Sequence, residues 1–189
     1  NHLDMETREA AVNGHAEKSG PCVIGWVGGE GNLVYLEMLA PVFRKLAENA
    51  DIQVRVVCSR GLEIPGVDVR FVPWTLASEP AEVAQFDIGV MPLPDFEHAA
   101  GKCGYKALLY MAAGVPPVVS DVGINRDIVR HGEEGFVAPA LEDFYGCLET
   151  LVRDRDLRRR MGAKARARAE QEYSVPVVAR RLAEALKAL

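Results

Sequence analysis

The sequence predicts an α/β fold: a doubly wound, parallel six-stranded sheet, Rossmann-like, with helices on both faces. Three observations predict it. Short β-rich runs alternate with longer stretches of helical period, the runs are continuously apolar, and each is bounded by Gly, Pro or Asp. Continuous apolar strands joined by crossover helices are covered on both faces, and right-handed crossovers return the chain in the same direction, so the sheet is parallel.

The strands are expected at residues 22–27, 52–58, 67–72, 87–91, 117–120 and 135–138. In residues 33–49, Leu36, Leu39, Val42, Phe43 and Leu46 recur at three- and four-residue steps, which predicts one amphipathic helix kinked by Pro41. Ser78 is expected to cap a short helix over 79–86, and Gly114 followed by Pro116 to stop a helix over 105–113. Residues 1–20 are polar, lack a sustained period and start at Asn1, so they read as a linker or the edge of an expressed fragment, leaving 21–189 as one domain.

Composition narrows the function classes. Hydrophobic residues at 49% and charged residues at 26% of 189 are globular values, and a chain of this length buries about 70% of its unfolded surface without staples. Lys plus Arg number 22 against 27 Asp plus Glu, a net charge of −5, which disfavours nucleic acid as the main partner and requires any phosphate site to be local. Cys22, Cys58, Cys103 and Cys147 are far apart with no C-x-x-C, so reduced thiols in a cytoplasmic protein are expected, with no metal and no resident cofactor. No apolar run approaches the roughly 20 residues of a membrane span.

The topology locates a site before any motif is invoked. In strand order 3-2-1-4-5-6 the first and fourth strands are neighbours, and ligands bind beyond their carboxyl ends. The loop Gly28-Gly29-Glu30-Gly31-Asn32 and the segment 92–104 should therefore face one crevice. Glycines let backbone approach a ligand, and the helix beginning at Tyr105 offers amides and a positive dipole end to an anion. Lys102 and Lys106 bracket that helix start, four residues apart and so able to lie on one face, and suggest a diphosphate-sized site; the competing reading is a pair of solvated lysines. A dinucleotide fingerprint is poorly matched, since Val34 stands where the third glycine of G-x-G-x-x-G belongs and the second strand ends in Cys58-Ser59-Arg60 without an acidic residue, although Arg60 can meet a 2′-phosphate.

The stretch 101–123 (GKCGYKALLYMAAGVPPVVSDVG), with Asp127-Ile-Val and Gly132-Glu-Glu-Gly-Phe-Val137, resembles the C-terminal domain of group 1 (family 4) glycosyltransferases. Leu157-Arg-Arg-Arg-Met-Gly162 and Glu172-Tyr-Ser174 resemble that family's closing helices, and Gly25-Trp-Val-Gly28, Trp74, Glu79 and Phe86-Asp-Ile-Gly89 resemble one bacterial branch; about 22–188 is covered. The resemblance implies one half of a GT-B fold, the half that holds a nucleotide-diphosphate sugar (a UDP- or GDP-sugar) while an N-terminal GT-B domain binds acceptor. It implies retaining transfer, usually without a metal, with the diphosphate at Gly104 and Tyr105 and the nucleoside near Pro73 and Trp74. No catalytic residue is assigned. The substrate-binding residues expected are Gly28, Gly29, Trp74, Lys102, Cys103, Gly104, Tyr105, Lys106 and Leu109.

Departures from the family pattern matter too. Its two glutamates, toward donor sugar and ribose, align with Gly101 and Leu109, and its cations after the first strand align with Glu30 and Asn32. Leu109 accepts no hydrogen bond from a ribose, and Glu30 beside a diphosphate would repel it. Lys102 and Lys106 are the candidate replacements for the lost cations; the alternative is a degenerate or structural nucleotide-binding module without transfer activity. Trp26 reads as packing and Trp74, His98, Asp121, Gly123 and Asn125 as contact candidates from their loops, with His131 a turn residue. Residues 153–168 carry eight basic side chains, read either as a solvated helix face or as peripheral contact with an anionic inner membrane surface.

Overall fold

In a computed structural model, residues 20–188 are described, apart from the side chains of His98 and Ala100; residues 1–19, and with them nearly all of the expected linker, lie outside the described residues. The strands are β1 (Cys22–Val27), β2 (Ile52–Cys58), β3 (Asp68–Pro73), β4 (Ile88–Met91), β5 (Pro117–Ser120) and β6 (Phe136–Ala138). They form one parallel sheet in the order β3-β2-β1-β4-β5-β6, the doubly wound Rossmann-like arrangement with the order reversal between β1 and β4.

The helices are α1 (Leu33–Glu37), α2 (Ala40–Ala47), α3 (Glu79–Val83), α4 (Glu97–Ala100), α5 (Tyr105–Ala112), α6 (Asn125–Ile128), α7 (Asp143–Arg153), α8 (Arg155–Arg168) and α9 (Val175–Lys187), with a π-turn at Ala169–Tyr173 before α9. Two of them correct the sequence reading. Instead of one kinked helix over 33–49 there are two, because the Pro41 ring would meet the carbonyl four residues back, at Glu37, where α1 ends. The helix expected over 79–86 stops at Val83, and a turn of three-residue bonds, Gln85 N to Glu82 O and Phe86 N to Val83 O, completes it. Ser78 holds the N-cap place but its hydroxyl pairs with Thr75 at 2.6 Å instead of capping. Gly114, at φ 71°, ends α5 as expected.

Successive strand residues alternate faces, and both faces are covered. On one, Ile24, Trp26, Val54, Val56, Ile88 and Val118 pack against Leu36 of α1, Phe43 and Leu46 of α2 and Phe144, Leu148 and Leu151 of α7. On the other, Val23, Val27 and Val57 meet Val83, Phe86, Leu109 and Tyr110, while Met91 and Val119 meet Ala107, Met111 and Ala165. Each large apolar side chain buried this way contributes about 1.5–3 kcal/mol.

Glycine opens the sheet at its centre. Gly25 of β1 lies beside Gly89 of β4, and a Cβ there would stand 2.0 Å from the Phe86 ring and 2.4 Å from the Tyr110 ring respectively. The two rings therefore lie on bare backbone, 6.1 Å apart. Beyond that register the pairing of β1 with β4 ends, and the Tyr110 hydroxyl bridges the gap: it accepts from Val27 N at 3.3 Å and donates to Val90 O at 3.2 Å. Full burial pushes the Tyr110 phenol well above its usual range, so it remains a neutral donor.

Candidate functional site

Where β1 and β4 part, a cleft of about 330 Å³ opens at the carboxyl edge of the sheet. It is lined by Val27, Gly28 and Gly29 at the end of β1, Ser59 just after β2, Trp74 just after β3, Glu79 at the start of α3, and Tyr105, Lys106 and Leu109 of α5. This volume lies at the lower end of the range for small-molecule sites.

Gly104 sets the start of α5. Its φ of 66° is left-handed, and a Cβ there would lie 2.2 Å from Ile128 Cδ1, so this turn onto α6 requires glycine. The first turn of an α-helix carries amides with no intrahelical acceptor, and the first turn of α5 holds Tyr105 and Lys106, which line the cleft. Gly28 makes room for the lysine: a Cβ there would be 2.8 Å from Lys106 Cε and 2.7 Å from Trp26 Cζ2. The Lys106 ammonium stands over the buried Trp26 ring, 5.7 Å from its centroid, and no carboxylate pairs with it among the described residues. Burial, and secondarily the charge of Lys102, lowers its pKa from the usual lysine range. An ammonium held where its charge is disfavoured gains from an arriving anion.

Of the residues expected from sequence, Gly28, Gly29, Trp74, Tyr105, Lys106 and Leu109 come together in this cleft. Lys102, Cys103 and Gly104 do not line it. Lys102 precedes α5 and Lys106 lies in its first turn, so the two bracket the helix start; Lys102 Nζ donates to Asn32 Oδ1 at 3.0 Å and lies 5.3 Å from the Tyr35 centroid. Cys103 is an exposed free thiol, and the other three cysteines are free as well. Glu30 turns to Arg60 at 3.7 Å and to the Ser59 hydroxyl at 3.5 Å, so part of its charge is matched at the rim. Asp121 pairs with Arg126, and Asn125, 1% exposed, spends its amide on Ser120 O at 2.9 Å and faces the protein interior. His98 belongs to α4, and its side chain lies outside the described residues.

Sequence reasoning missed Val27, Ser59 and Glu79 as lining residues. The rule that ligands sit beyond carboxyl strand ends would have found Ser59, which directly follows β2. Glu79 is the first residue of α3, five residues after Trp74, and its carboxylate accepts from Trp74 Nε1 at 2.8 Å. Among the described residues no cluster of metal-ligating side chains occurs, and no helix is long and apolar enough to cross a membrane.

Comparisons agree with this fold. Comparison with curated proteins gives no match. Among solved structures, the chain is similar to the C-terminal domain of a glycosyl transferase group 1 family protein, LpcC, from Francisella tularensis: TM-score 0.63, 16% identity, 93% of this chain and 94% of that one. It is also similar to Anabaena Alr3699/HepE, solved with UDP and glucose (TM-score 0.73, 17% identity, 99% of this chain and 52% of that one). A third is the sucrose-phosphate synthase of Thermosynechococcus elongatus (TM-score 0.70, 17% identity, 100% and 50%). The chain thus spans nearly all of an isolated C-terminal domain and about half of two longer neighbours. The family model described as glycosyl transferases group 1 matches residues 21–154, and the chain belongs to that family.

Proposed function

We propose that this chain is the nucleotide-sugar donor-binding half of a retaining glycosyltransferase, which moves a sugar from a nucleoside-diphosphate sugar to an acceptor held by an N-terminal half. The observation that carries the proposal is the ammonium of Lys106, which has no carboxylate partner among the described residues and lines the cleft in the opening turn of α5. As the bond from the sugar to the diphosphate breaks, negative charge grows on the departing phosphate oxygen. Preorganised amides and a partly desolvated ammonium stabilise that charge more than water does. Gly28 and Gly29 let the diphosphate approach backbone, and Trp74 flanks the nucleoside end. UDP in the Anabaena neighbour supports the substrate class.

Calorimetric titration with UDP, GDP and ADP sugars tests this reading and names the base. Binding in the micromolar to millimolar range that falls at least tenfold in the Lys102→Ala, Lys106→Ala double variant supports it; no binding supports the degenerate module instead. Transfer activity is expected only when the acceptor half is supplied. The expected site of action is the cytoplasm. For residues 153–168 the geometry favours a structural face over membrane contact, because Arg158, Arg166 and Arg168 are spent on backbone carbonyls and glutamates. Salt-sensitive sedimentation with anionic liposomes would restore the membrane reading.

A further inference from the structure

The sheet has two outer edges, and they differ. At one, β6 spans only three residues and the Val137 amide donates to His131 Nδ1 at 3.2 Å. At the other, β3 is six residues long, every side chain is at least partly exposed, and Phe71 is 42% exposed. Just beyond it Trp74 N donates to Cys58 O at 2.9 Å, so by alternation the backbone groups of Val72, Arg70 and Asp68 face β2. Those of Val69 and Phe71 face outward, with no hydrogen-bond partner among the described residues. An open edge of this kind is a template for another strand.

We propose that β3 pairs antiparallel with β3 of a second copy of this chain, about a two-fold axis at Val69. The residue order selects both the partner and the register. Only outward-facing residues exchange ladder bonds, so odd positions pair with odd positions, and charge decides among the registers that remain. With Val69 opposite Val69, Asp68 meets Arg70 of the second copy and Arg70 meets its Asp68. On the other face, where Val67 and Val69 already pack on the core, Val67 meets Phe71. One register step toward the carboxyl end sets Arg70 against Arg70 and brings Pro73, which has no N–H, into the ladder; one step the other way sets Asp68 against Asp68. Gln53 Nε2 holds Asp68 Oδ2 at 2.9 Å, and Arg70 has no carboxylate partner among the described residues. The Arg55 guanidinium of β2 is held below its usual range by burial and then by the charge of Arg70, so a carboxylate arriving beside Arg70 favours both. A surface that matches itself through a two-fold is what a closed homodimer needs. This pairing is independent of what the cleft binds.

The test is sedimentation velocity of the 189-residue chain from about 10 μM to about 1 mM, the range of a small, weak interface, with amide hydrogen exchange read at both ends of the series. The wild type is expected to form dimers as concentration rises, and exchange at Val69 and Phe71, but not at Val72, to slow with it. Arg70→Asp sets like charges opposite each other at both symmetric pairs and should weaken association about 10-fold or more, while the double variant Asp68→Arg, Arg70→Asp should restore it. Val69→Pro removes the central donor at a place where an edge strand tolerates proline, and should leave a monomer. If Val69→Pro does not fold, the exposed Arg70→Asp change and its charge-swapped double variant, both checked by thermal melting, decide the matter. A chain still monomeric at about 1 mM, a dimer that survives Arg70→Asp, or a charge swap that restores nothing overturns the pairing. A dimer with unaltered exchange at Val69 and Phe71 overturns it as well and places the contact on another face.

Discussion

The two edges of the sheet carry opposite lessons about charge. At the amino edge, a groove of about 670 Å³ is lined by Arg155, Arg158, Arg159 and Arg166, with Asp51, Asp87 and Glu170 among them. At the carboxyl edge, the cleft has half that volume and one lysine. By size and positive charge the amino edge is the stronger anion candidate. The hydrogen bonds reverse that ranking. Arg158 donates to Leu151 O and Val152 O at the end of α7, and Arg166 to Ala112 O at the end of α5 and to Glu170. These guanidiniums satisfy carbonyls that a helix C-terminus leaves over. Lys106, by contrast, has an aromatic face and, among the described residues, no carboxylate. A cation already spent on backbone is structure; one in a cleft lining with no carboxylate partner among the described residues is the better candidate for an anion.

The largest effect expected from this contrast comes from a backbone contact. Gly162→Ala at the amino edge would put a methyl 2.1 Å from the Gly114 carbonyl oxygen, which is backbone and has little room to yield. We expect a loss of about 3 kcal/mol or more, read as a large fall in melting temperature. Gly104→Ala at the carboxyl edge meets the movable tip of Ile128 at 2.2 Å and a φ of 66°. It should cost less stability, about 1–3 kcal/mol, but disturb the opening of α5 and with it nucleotide affinity.

Next in size is Lys106→Met. Removing the ammonium should weaken nucleotide binding by about 10- to 100-fold, the worth of a charge-assisted hydrogen bond, while stability stays level or rises because a burial-disfavoured charge is gone. Calorimetry and thermal melting on the same sample read both. Arg158→Ala and Arg166→Ala should do the reverse: a loss of about 1–2 kcal/mol from uncapped carbonyls, with nucleotide affinity unchanged. An affinity loss in either arginine variant would break the contrast.

The smallest effect is on pH dependence. The Lys106 pKa is lowered in the folded chain, mainly by burial and then by Lys102. Its charged form, the one that binds an anion, is therefore lost as pH rises through that lowered pKa, below where an exposed lysine titrates. Nucleotide affinity should decline on that limb, and Lys106→Arg should flatten it. The sign for stability is opposite: the unfolded chain holds this proton more tightly, so stability rises with pH between the folded and unfolded values.

Much of the fold was legible because it depends on burial, which is written in the sequence. The apolar runs from Cys22, Ile52 and Pro117 coincide with β1, β2 and β5, and the order reversal between β1 and β4 follows from the crossover rule. What was missed depends on side-chain reach or on competition between local rules. Pro41 was read as a kink because helical period continues past it, yet its clash with the Glu37 carbonyl splits the segment. Lys102 was expected to act beside Lys106 from its place just before the helix, and what spacing could not show is that its side chain reaches Asn32 and does not line the cleft. Glu79 enters the sequence reading only through the family resemblance, and its spacing of five from Trp74 did not show that both side chains line the cleft.

The most direct test of the central claim is to follow backbone amide resonances while inorganic pyrophosphate is added to the chain. The account predicts the largest shifts at Tyr105, Lys106 and Ala107, with smaller ones at Gly28 and Gly29 and none along 155–166. Shifts concentrated at Arg155 and Arg159, or no saturable shift at the opening of α5, would contradict it.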